Sequence, residues 1–127
     1  MKLLFAALIS LAVAAAPGVC NKGSKALCYK GRLEVKGICS NLTITAVDGN
    51  VPGTQPSWTD EQTGKTYANA FRPENPCAIP DGLKEGDTFF FVIDTTAAAP
   101  CATCKAFYPT PEKALNIRIL SGPCSGN

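Results

Sequence analysis

Seven cysteines constrain this chain more than any other feature of its sequence. They stand at Cys20, Cys28, Cys39, Cys77, Cys101, Cys104 and Cys124. So many cysteines in a chain of 127 residues are typical of small exported domains, in which disulfides compensate for a small hydrophobic core. In the loop-entropy account each disulfide contributes ~2–4 kcal/mol to the free energy of unfolding. We therefore predict a disulfide-stapled domain that folds in an oxidising compartment.

The N-terminal segment has the layout of an export signal. Lys2 precedes an almost entirely apolar run over residues 3–16, and small residues end it. The run is shorter than the ~20 residues that a membrane-spanning helix needs. It also lacks the polar face that a helix packed on the domain would turn toward water. We predict an export signal at residues 1–19, a tether at 20–29 and a single β domain at 30–127. The exported protein is then either a membrane-anchored protein of the cell envelope or a secreted one.

Cys20 is the best candidate for the odd cysteine. It comes directly after the signal and is followed by a polar stretch, residues 21–24. This arrangement resembles the start of bacterial lipoproteins, in which the first mature cysteine is acylated and anchors the protein to a membrane. The resemblance implies that Cys20 is a lipid anchor. Ordinary signal cleavage upstream, with Cys20 free or joined to another chain, is the alternative.

Acylation of Cys20 leaves six cysteines for three disulfides, and six cysteines allow fifteen pairings. We predict one of these pairs, Cys28 with Cys124, because the two residues flank the first and the last strand of the pattern described next.

Alternating apolar and polar residues predict strands throughout the domain. In the first strand Leu33 and Val35 share a face. After Gly37, which we interpret as a bulge or a sharp bend in one long strand, the alternation continues. The inward residues predicted there are Leu42, Ile44 and Ala46, and the outward residues are Asn41, Thr43 and Thr45.

Further strands are predicted at residues 65–71, 88–94, 105–109 and 115–120. Segments 51–61 and 72–82 are rich in proline and are predicted as loops, and Thr110-Pro111-Glu112-Lys113 has the composition of one helical turn. The fold class that follows is all-β: a small disulfide-stapled antiparallel barrel or sandwich of about six short strands. The long bent first strand resembles that of the OB architecture, which keeps a small barrel among the alternatives.

The composition excludes several kinds of chemistry. The chain contains no histidine, so it cannot carry a Ser-His-Asp or Cys-His site or a histidine general base. Its formal charge is +2 with interspersed signs, which favours neither nucleic acid nor an anionic membrane surface. We predict no catalytic residue, no cofactor and no metal site, and membrane contact only through a lipid anchor at Cys20.

Cys101 and Cys104 form a CxxC motif after an apolar strand, and this order superficially resembles the thioredoxin family. Pro109 and Pro111 would break the helix that lowers the pKa of the nucleophile in that family. A CxxC is also half of a zinc or copper(I) site, but a closed zinc site would need two more cysteines, such as Cys39 and Cys77. We favour structural disulfides. A thiol-redox or metal-handling protein that works through Cys101 and Cys104 is the alternative function.

Two other motifs have a weaker claim to function. Asp81, Glu85 and Asp87 surround a turn and could bind calcium weakly, but their spacing matches no calcium loop. Asn41-Leu42-Thr43 is a glycosylation acceptor only in a eukaryotic secretory pathway. We interpret the first as a solvated turn and the second as a chance match.

The aromatic residues suggest where a partner would bind. In the strand that contains three consecutive phenylalanines, Phe89 and Phe91 share one face and Phe90 takes the other. Trp58, Phe90 and Tyr108 are the predicted contact residues, since aromatic side chains dominate binding surfaces. The function predicted from the sequence is a non-enzymatic binding or structural module whose partner is an unknown ligand or an envelope protein.

Overall fold

A computed structural model describes residues 27–124 and shows an all-β domain with almost no helix. The predicted leader, Cys20 and most of the predicted tether lie outside the described residues. The strands are β1 Cys28–Lys36, β2 Leu42–Ala46, β3 Gln55–Thr59, β4 Thr66–Pro73, β5 Thr88–Ile93, β6 Ala114–Leu115 and β7 Ile117–Ile119. Their order is β3-β4-β2-β1-β5-β7, and every neighbouring pair in this order is antiparallel.

The sheet is not closed into a barrel, because its continuous ladder ends at β3 on one side and at β7 on the other. A sandwich-like arrangement therefore fits better than the OB-like barrel. The last two strands curl the sheet over its core. β6 pairs in parallel with the end of β4, and β7 pairs with β5 one residue later.

The first two strands form a hairpin, so the prediction of one long strand bent at Gly37 is wrong. A 3-10 turn at Ile38–Ser40 separates β1 from β2. Cys39 and Ser40 both adopt positive φ angles, 57° and 59°, and two consecutive left-handed residues reverse the chain. Gly37 is required for a different reason: a Cβ atom there would lie 2.9 Å from Cγ of Tyr108, whose ring packs on the glycine.

The inner face of the sheet carries the main hydrophobic core. Its buried residues are Leu33, Leu42, Ile44, Phe71, Ile79, Phe89, Phe91 and Ile117. The predicted inward positions Leu42 and Ile44 of β2 and the phenylalanines Phe89 and Phe91 of β5 lie in this cluster. Ala46, also predicted to face inward, is buried but is not part of it. The alternating residues Leu115 and Ile119 pack against the cluster. Most of the core therefore consists of residues that the alternating pattern marks, and Ile79, from a segment predicted as a loop, joins them.

The outer face carries a second, smaller cluster, formed by Val35, Trp58 and Ala70 with Tyr67 and Tyr108 packed against it. This cluster corrects two predictions. A β-bulge between Leu33 and Val35 turns these residues to opposite faces. Thr43 and Thr45, which were expected to face solvent, are buried because other parts of the chain cover this face.

Three local predictions failed, one at the edge strand β3 and two in the segment that follows β5. Residues 55–59 form the edge strand β3 rather than a loop, and an edge position tolerates Pro56. Residues 105–109 form no strand, and residues 110–113 form no helical turn. The backbone there bonds to neighbouring elements instead, as Glu112 donates its N–H to Oε1 of Gln55, and Lys113 accepts at its carbonyl from the N–H of Arg72.

Three disulfides join the six described cysteines: Cys28–Cys124, Cys39–Cys104 and Cys77–Cys101. The predicted Cys28–Cys124 pair is confirmed, and it ties the start of β1 to the end of the described chain. Three disulfides in so small a domain indicate an oxidising environment. In the stretch from residue 27 to residue 124, no helix is long and apolar enough to cross a membrane.

Candidate functional site

The segment between β5 and β6, residues 94–113, is the longest part of the described chain without regular secondary structure. We call it the braced loop. Two of the three disulfides attach it to the sheet: Cys101 to Cys77, which lies in a 3-10 turn after β4, and Cys104 to Cys39 in the β1–β2 connection. A loop of this length is usually mobile or functional, and these two bonds restrict its motion.

The two cysteines of the CxxC motif are thus bonded to different partners rather than to each other. A dithiol–disulfide centre requires that the two sulfurs of the motif form one bond with each other. In the structure the motif instead joins two separate segments of the chain to the braced loop. Residues 27–124 also contain no group of three or more metal-ligating side chains that could hold an ion.

Side-chain hydrogen bonds fix the middle of the braced loop. The Nδ2 atom of Asn41 donates to the carbonyl of Ile38 at 2.6 Å and to the carbonyl of Ala106 at 2.9 Å. Asp60, which is 0% exposed, accepts at Oδ2 from the hydroxyl of Tyr108 at 2.8 Å. The two residues that flank Phe107 are therefore held by hydrogen bonds, Ala106 by Asn41 and Tyr108 by Asp60.

Carboxylates set the electrostatic environment of the outer face. The hydrogen bond to Asp60, with lesser contributions from burial and nearby carboxylates, raises the pKa of the Tyr108 hydroxyl. Burial raises the pKa of Tyr67, and the negative charges of Glu34, Asp60 and Glu85 add to that effect. Both phenols are thus held in their neutral form.

Phe107 is the most exposed large apolar residue of the described chain, at 81%. Ile38, at 61% exposure, lies on the neighbouring segment, because the carbonyls of Ile38 and Ala106 share the amide of Asn41. Single exposed apolar residues are common on protein surfaces. Here, however, both belong to segments fixed by the same disulfide, Cys39–Cys104, and the same amide.

A cleft of about 330 Å³ lies beside Phe107. Trp58 forms part of its wall and stacks on Tyr67, with ring centroids 5.9 Å apart. The carboxylates of Glu61 and Glu112 also line the cleft. This combination of aromatic and polar groups can bind a ligand by ring contacts and by hydrogen bonds to the carboxylates.

The structure brings together two of the three predicted contact residues. Trp58 and Tyr108 belong to the same outer cluster. Phe90 is on the β1–β5 part of the sheet, opposite Lys30, whose Nζ lies 6.0 Å from the ring centroid. Phe90 is half-buried there and belongs to neither this cleft nor the braced loop.

The two weaker motifs contribute to local structure. Glu85 accepts at Oε1 from the N–H of Lys36, and Asp87 accepts at Oδ2 from the N–H of Lys84, so both carboxylates stabilise the connection before β5. The amide of Asn41 is engaged by the two carbonyls described above.

Sequence reasoning missed three residues of the site: Phe107, Asn41 and Asp60. Phe107 appears in the sequence as one more aromatic residue, and nothing in its neighbours indicates that it is exposed. Asn41 bonds to Ala106, 65 positions away, and Asp60 bonds to Tyr108, 48 positions away. Local sequence patterns do not indicate contacts between residues so far apart. The prolines that flank Phe107, at positions 100, 109 and 111, were the one available signal of an irregular and ordered segment.

Comparison of the chain with protein-family models, with curated proteins and with solved structures gave no match.

Proposed function

We propose that this protein is an exported, non-enzymatic binding module that presents the braced loop to a partner outside the cytosol. The observation that carries the proposal is the exposure of Phe107, at 81%, on a segment fixed by two disulfides. Trp58 lines the same cleft as Phe107, and Tyr108, the next residue of the chain, packs against the cluster that contains Trp58. The partner is a ligand or a protein of the cell envelope or the surroundings.

The two disulfides favour binding because a mobile loop would have to be ordered when it binds a partner, and that ordering costs free energy. Each immobilised side chain costs ~0.5–1.5 kcal/mol, and a loop that is already ordered avoids much of that cost. Aromatic side chains supply the largest single contributions at binding surfaces. Phe107 adds little to the stability of the fold because it is exposed, so its position is better explained by contact with a partner.

Export and anchoring belong to the same proposal. The six described cysteines bond to one another, so Cys20 has no cysteine of the chain left to pair with, as an acylated first residue requires. We propose that Cys20 carries the lipid anchor, and that release by ordinary signal cleavage is the alternative. Intact mass of the protein extracted from membranes tests this: acylation predicts a diacylglyceryl adduct at an N-terminal Cys20, whereas release predicts an upstream N-terminus without lipid.

The binding role is tested by capture from the envelope and culture medium of the source organism. Wild-type protein is immobilised beside Phe107→Ala and, as a matched control, Phe90→Ala, which removes the same ring from another surface. The proposal predicts that a specific partner is retained by the wild type and by Phe90→Ala, and that Phe107→Ala weakens its binding by about 30-fold, or ~2 kcal/mol. Titration of the retained partner should also change the fluorescence of Trp58, the only tryptophan.

Two results would contradict the binding role. One is equal retention by wild type and Phe107→Ala, with equal unfolding midpoints. The other is the absence of any retained partner from either fraction.

A further inference from the structure

The longest continuous exposed stretch of the braced loop, residues 102–107, has the features of a peptide displayed for recognition. Each of these residues is exposed. Within residues 27–124, their only intramolecular hydrogen bond is the one from Asn41 to the carbonyl of Ala106. Their other backbone N–H and C=O groups are therefore available to a partner. A cleft that binds extended peptides takes up such groups by forming strand-like backbone hydrogen bonds.

Lys105 lies in the middle of this exposed segment. It is the only charged residue between Asp94 and Glu112, and the structure bends at this position. It takes part in no salt bridge within the described part of the chain, where the one pair present is Arg32–Glu34. A lone exposed lysine on an ordered peptide matches the specificity pocket of trypsin-like peptidases, in which a buried aspartate binds a basic side chain.

The two sides of the Lys105–Ala106 peptide bond are both tied to the β1–β2 connection. On one side, Cys104 is bonded to Cys39. On the other, the carbonyl of Ala106 accepts from Asn41 at 2.9 Å. If this peptide bond were cut, the two new ends would remain attached to residues only two positions apart, so they could not separate readily.

We propose that residues 102–107 are a substrate-like inhibitory loop that occupies the substrate cleft of a serine peptidase of trypsin-like specificity, with Lys105 in the specificity pocket. Such an inhibitor is one form of the binding module proposed above, so it requires that function and names the partner. Phe107 and Ile38, exposed on either side of the Asn41 amide, supply apolar contacts at the rim of the cleft.

The chemistry explains why the loop inhibits rather than being consumed. The peptidase serine attacks the Lys105 carbonyl carbon, the C–N bond to Ala106 breaks, and the amine of Ala106 leaves with the proton carried by the peptidase histidine. Because Asn41 and the Cys39–Cys104 bond hold both ends, that amine stays in place and attacks the ester. The peptidase histidine takes a proton from the amine and returns it to the serine oxygen, so the peptide bond re-forms as the ester C–O bond breaks. Hydrolysis by water, which would give a Lys105 carboxylate and an Ala106 ammonium, is slow by comparison.

The first experiment measures inhibition of trypsin, with a small chromogenic substrate, by the full-length protein exported with its disulfides intact. We expect stoichiometric inhibition that Lys105→Ala weakens by about 100-fold or more, and that Lys105→Arg preserves. Lys105→Phe should transfer inhibition from trypsin to chymotrypsin. Lys105 is exposed and takes part in no salt bridge within residues 27–124, so all three variants should unfold at the wild-type temperature.

The second experiment tests the ties on the two sides of the bond. Asn41→Ala, and separately the pair Cys39→Ala with Cys104→Ala, should turn the inhibitor into a substrate that is cut after Lys105. Asn116→Ala is the matched control, because the amide of Asn116 holds the carbonyls of Asp94 and Thr96 at the far end of the braced loop. That variant should remain inhibitory and intact.

Three outcomes would overturn the inference: no inhibition of trypsin, rapid cleavage of the wild type without inhibition, or inhibition that survives Lys105→Ala. If any of them occurs while Phe107-dependent capture of an envelope partner persists, the binding module stands and only the peptidase is wrong. If capture fails as well, both proposals fail.

Discussion

The inner face of the sheet buries one continuous apolar cluster, whereas the outer face is covered by a loop without regular structure. Inside, Phe71 and Phe91 are completely buried and pack with ring centroids 5.7 Å apart. Outside, the braced loop depends on two disulfides and on the polar contacts of Asn41 and Asp60. Two kinds of interaction therefore hold the two faces: burial of apolar area stabilises the inner one, whereas covalent and polar bonds hold an outer segment that stays exposed.

The largest expected effect lies on the inner face. Phe71→Ala should lower the free energy of unfolding by ~3–5 kcal/mol, because it leaves a cavity in the centre of the core. Phe107→Ala is the matched variant on the braced loop and should change the free energy of unfolding by less than about 0.5 kcal/mol. Urea denaturation of both variants measures the difference. A decrease of several kcal/mol in the free energy of unfolding of Phe107→Ala would show that the ring is packed in the fold rather than exposed.

The disulfides are expected to rank next, and to differ among themselves. Replacing both cysteines of a pair by alanine should cost ~2–4 kcal/mol in the loop-entropy account. The sequence separation is 96 for Cys28–Cys124 and 24 for Cys77–Cys101, so loss of the first should cost about 1.2 kcal/mol more than loss of the second. Urea denaturation of the two double variants tests this order. The reverse order would show that loop entropy does not set the relative contributions of these two disulfides.

Asp60 is the polar contact whose removal should have the largest effect on the outer face. Asp60→Ala leaves the hydroxyl of Tyr108 and the N–H of Gln62 without their acceptor, and we expect a loss of ~1–3 kcal/mol. Glu61→Ala, one position along and exposed, is the control and should lie within about 0.5 kcal/mol of the wild type. Equal effects in the two variants would remove Asp60 from the account of how the loop is held.

High pH should destabilise the fold through two tyrosines of the outer face, Tyr67 and Tyr108. The pKa of Tyr108 is raised from 10.0 first by its hydrogen bond to Asp60, and that of Tyr67 is raised from 10.0 first by burial. A raised folded-state pKa stabilises the fold fully below the unfolded value near pH 10, and this contribution is lost as pH rises through the folded value. Absorbance of tyrosinate should therefore show late-titrating phenols, with fewer of them in Tyr108→Phe. Titration of every tyrosine at its ordinary pKa would contradict this.

The smallest expected effect is a gain. The Thr43 side chain is completely buried on the outer side of β2, and in the described structure its Oγ1 has no hydrogen-bond partner. Thr43→Val keeps the shape and removes the unsatisfied hydroxyl, so the variant should be more stable by about 0.5–1 kcal/mol. Thr45→Val is the contrast, because the hydroxyl of Thr45 donates to Glu34 at 2.7 Å. A Thr43→Val variant that is less stable than the wild type would reveal a partner for that hydroxyl.

The same division decides how much of the molecule could be predicted from its sequence. The strands of the inner face were predictable, because alternation over residues such as Leu42 and Ile44 reports directly which side is buried. The Cys28–Cys124 pair followed from the positions of the first and last strands. Both predictions need only local patterns and their order along the chain.

The outer face could not be predicted in the same way. The bulge that separates Leu33 from Val35 leaves no mark in the alternation. Tyr108, which comes from the braced loop, joins the cluster on this face, and nothing in the local pattern predicts that contact. The polar residues that hold Tyr108 and Ala106 are distant in sequence. Trp58 and Tyr108, which were predicted as contact residues, lie in one cluster of the outer face, but their role in binding stays a prediction, and the exposure of Phe107 beside them was not predicted.

The pairing of the CxxC cysteines distinguishes a braced loop from a redox-active or metal-binding motif. Protein exported from its native host is digested without reduction, and the disulfide-linked peptides are identified by mass spectrometry. The account predicts peptides that join Cys101 to Cys77 and Cys104 to Cys39, with no thiol open to alkylation at either position. A peptide in which Cys101 is bonded to Cys104, or rapid alkylation of both, would contradict the braced loop and favour a thiol-redox or metal-handling protein.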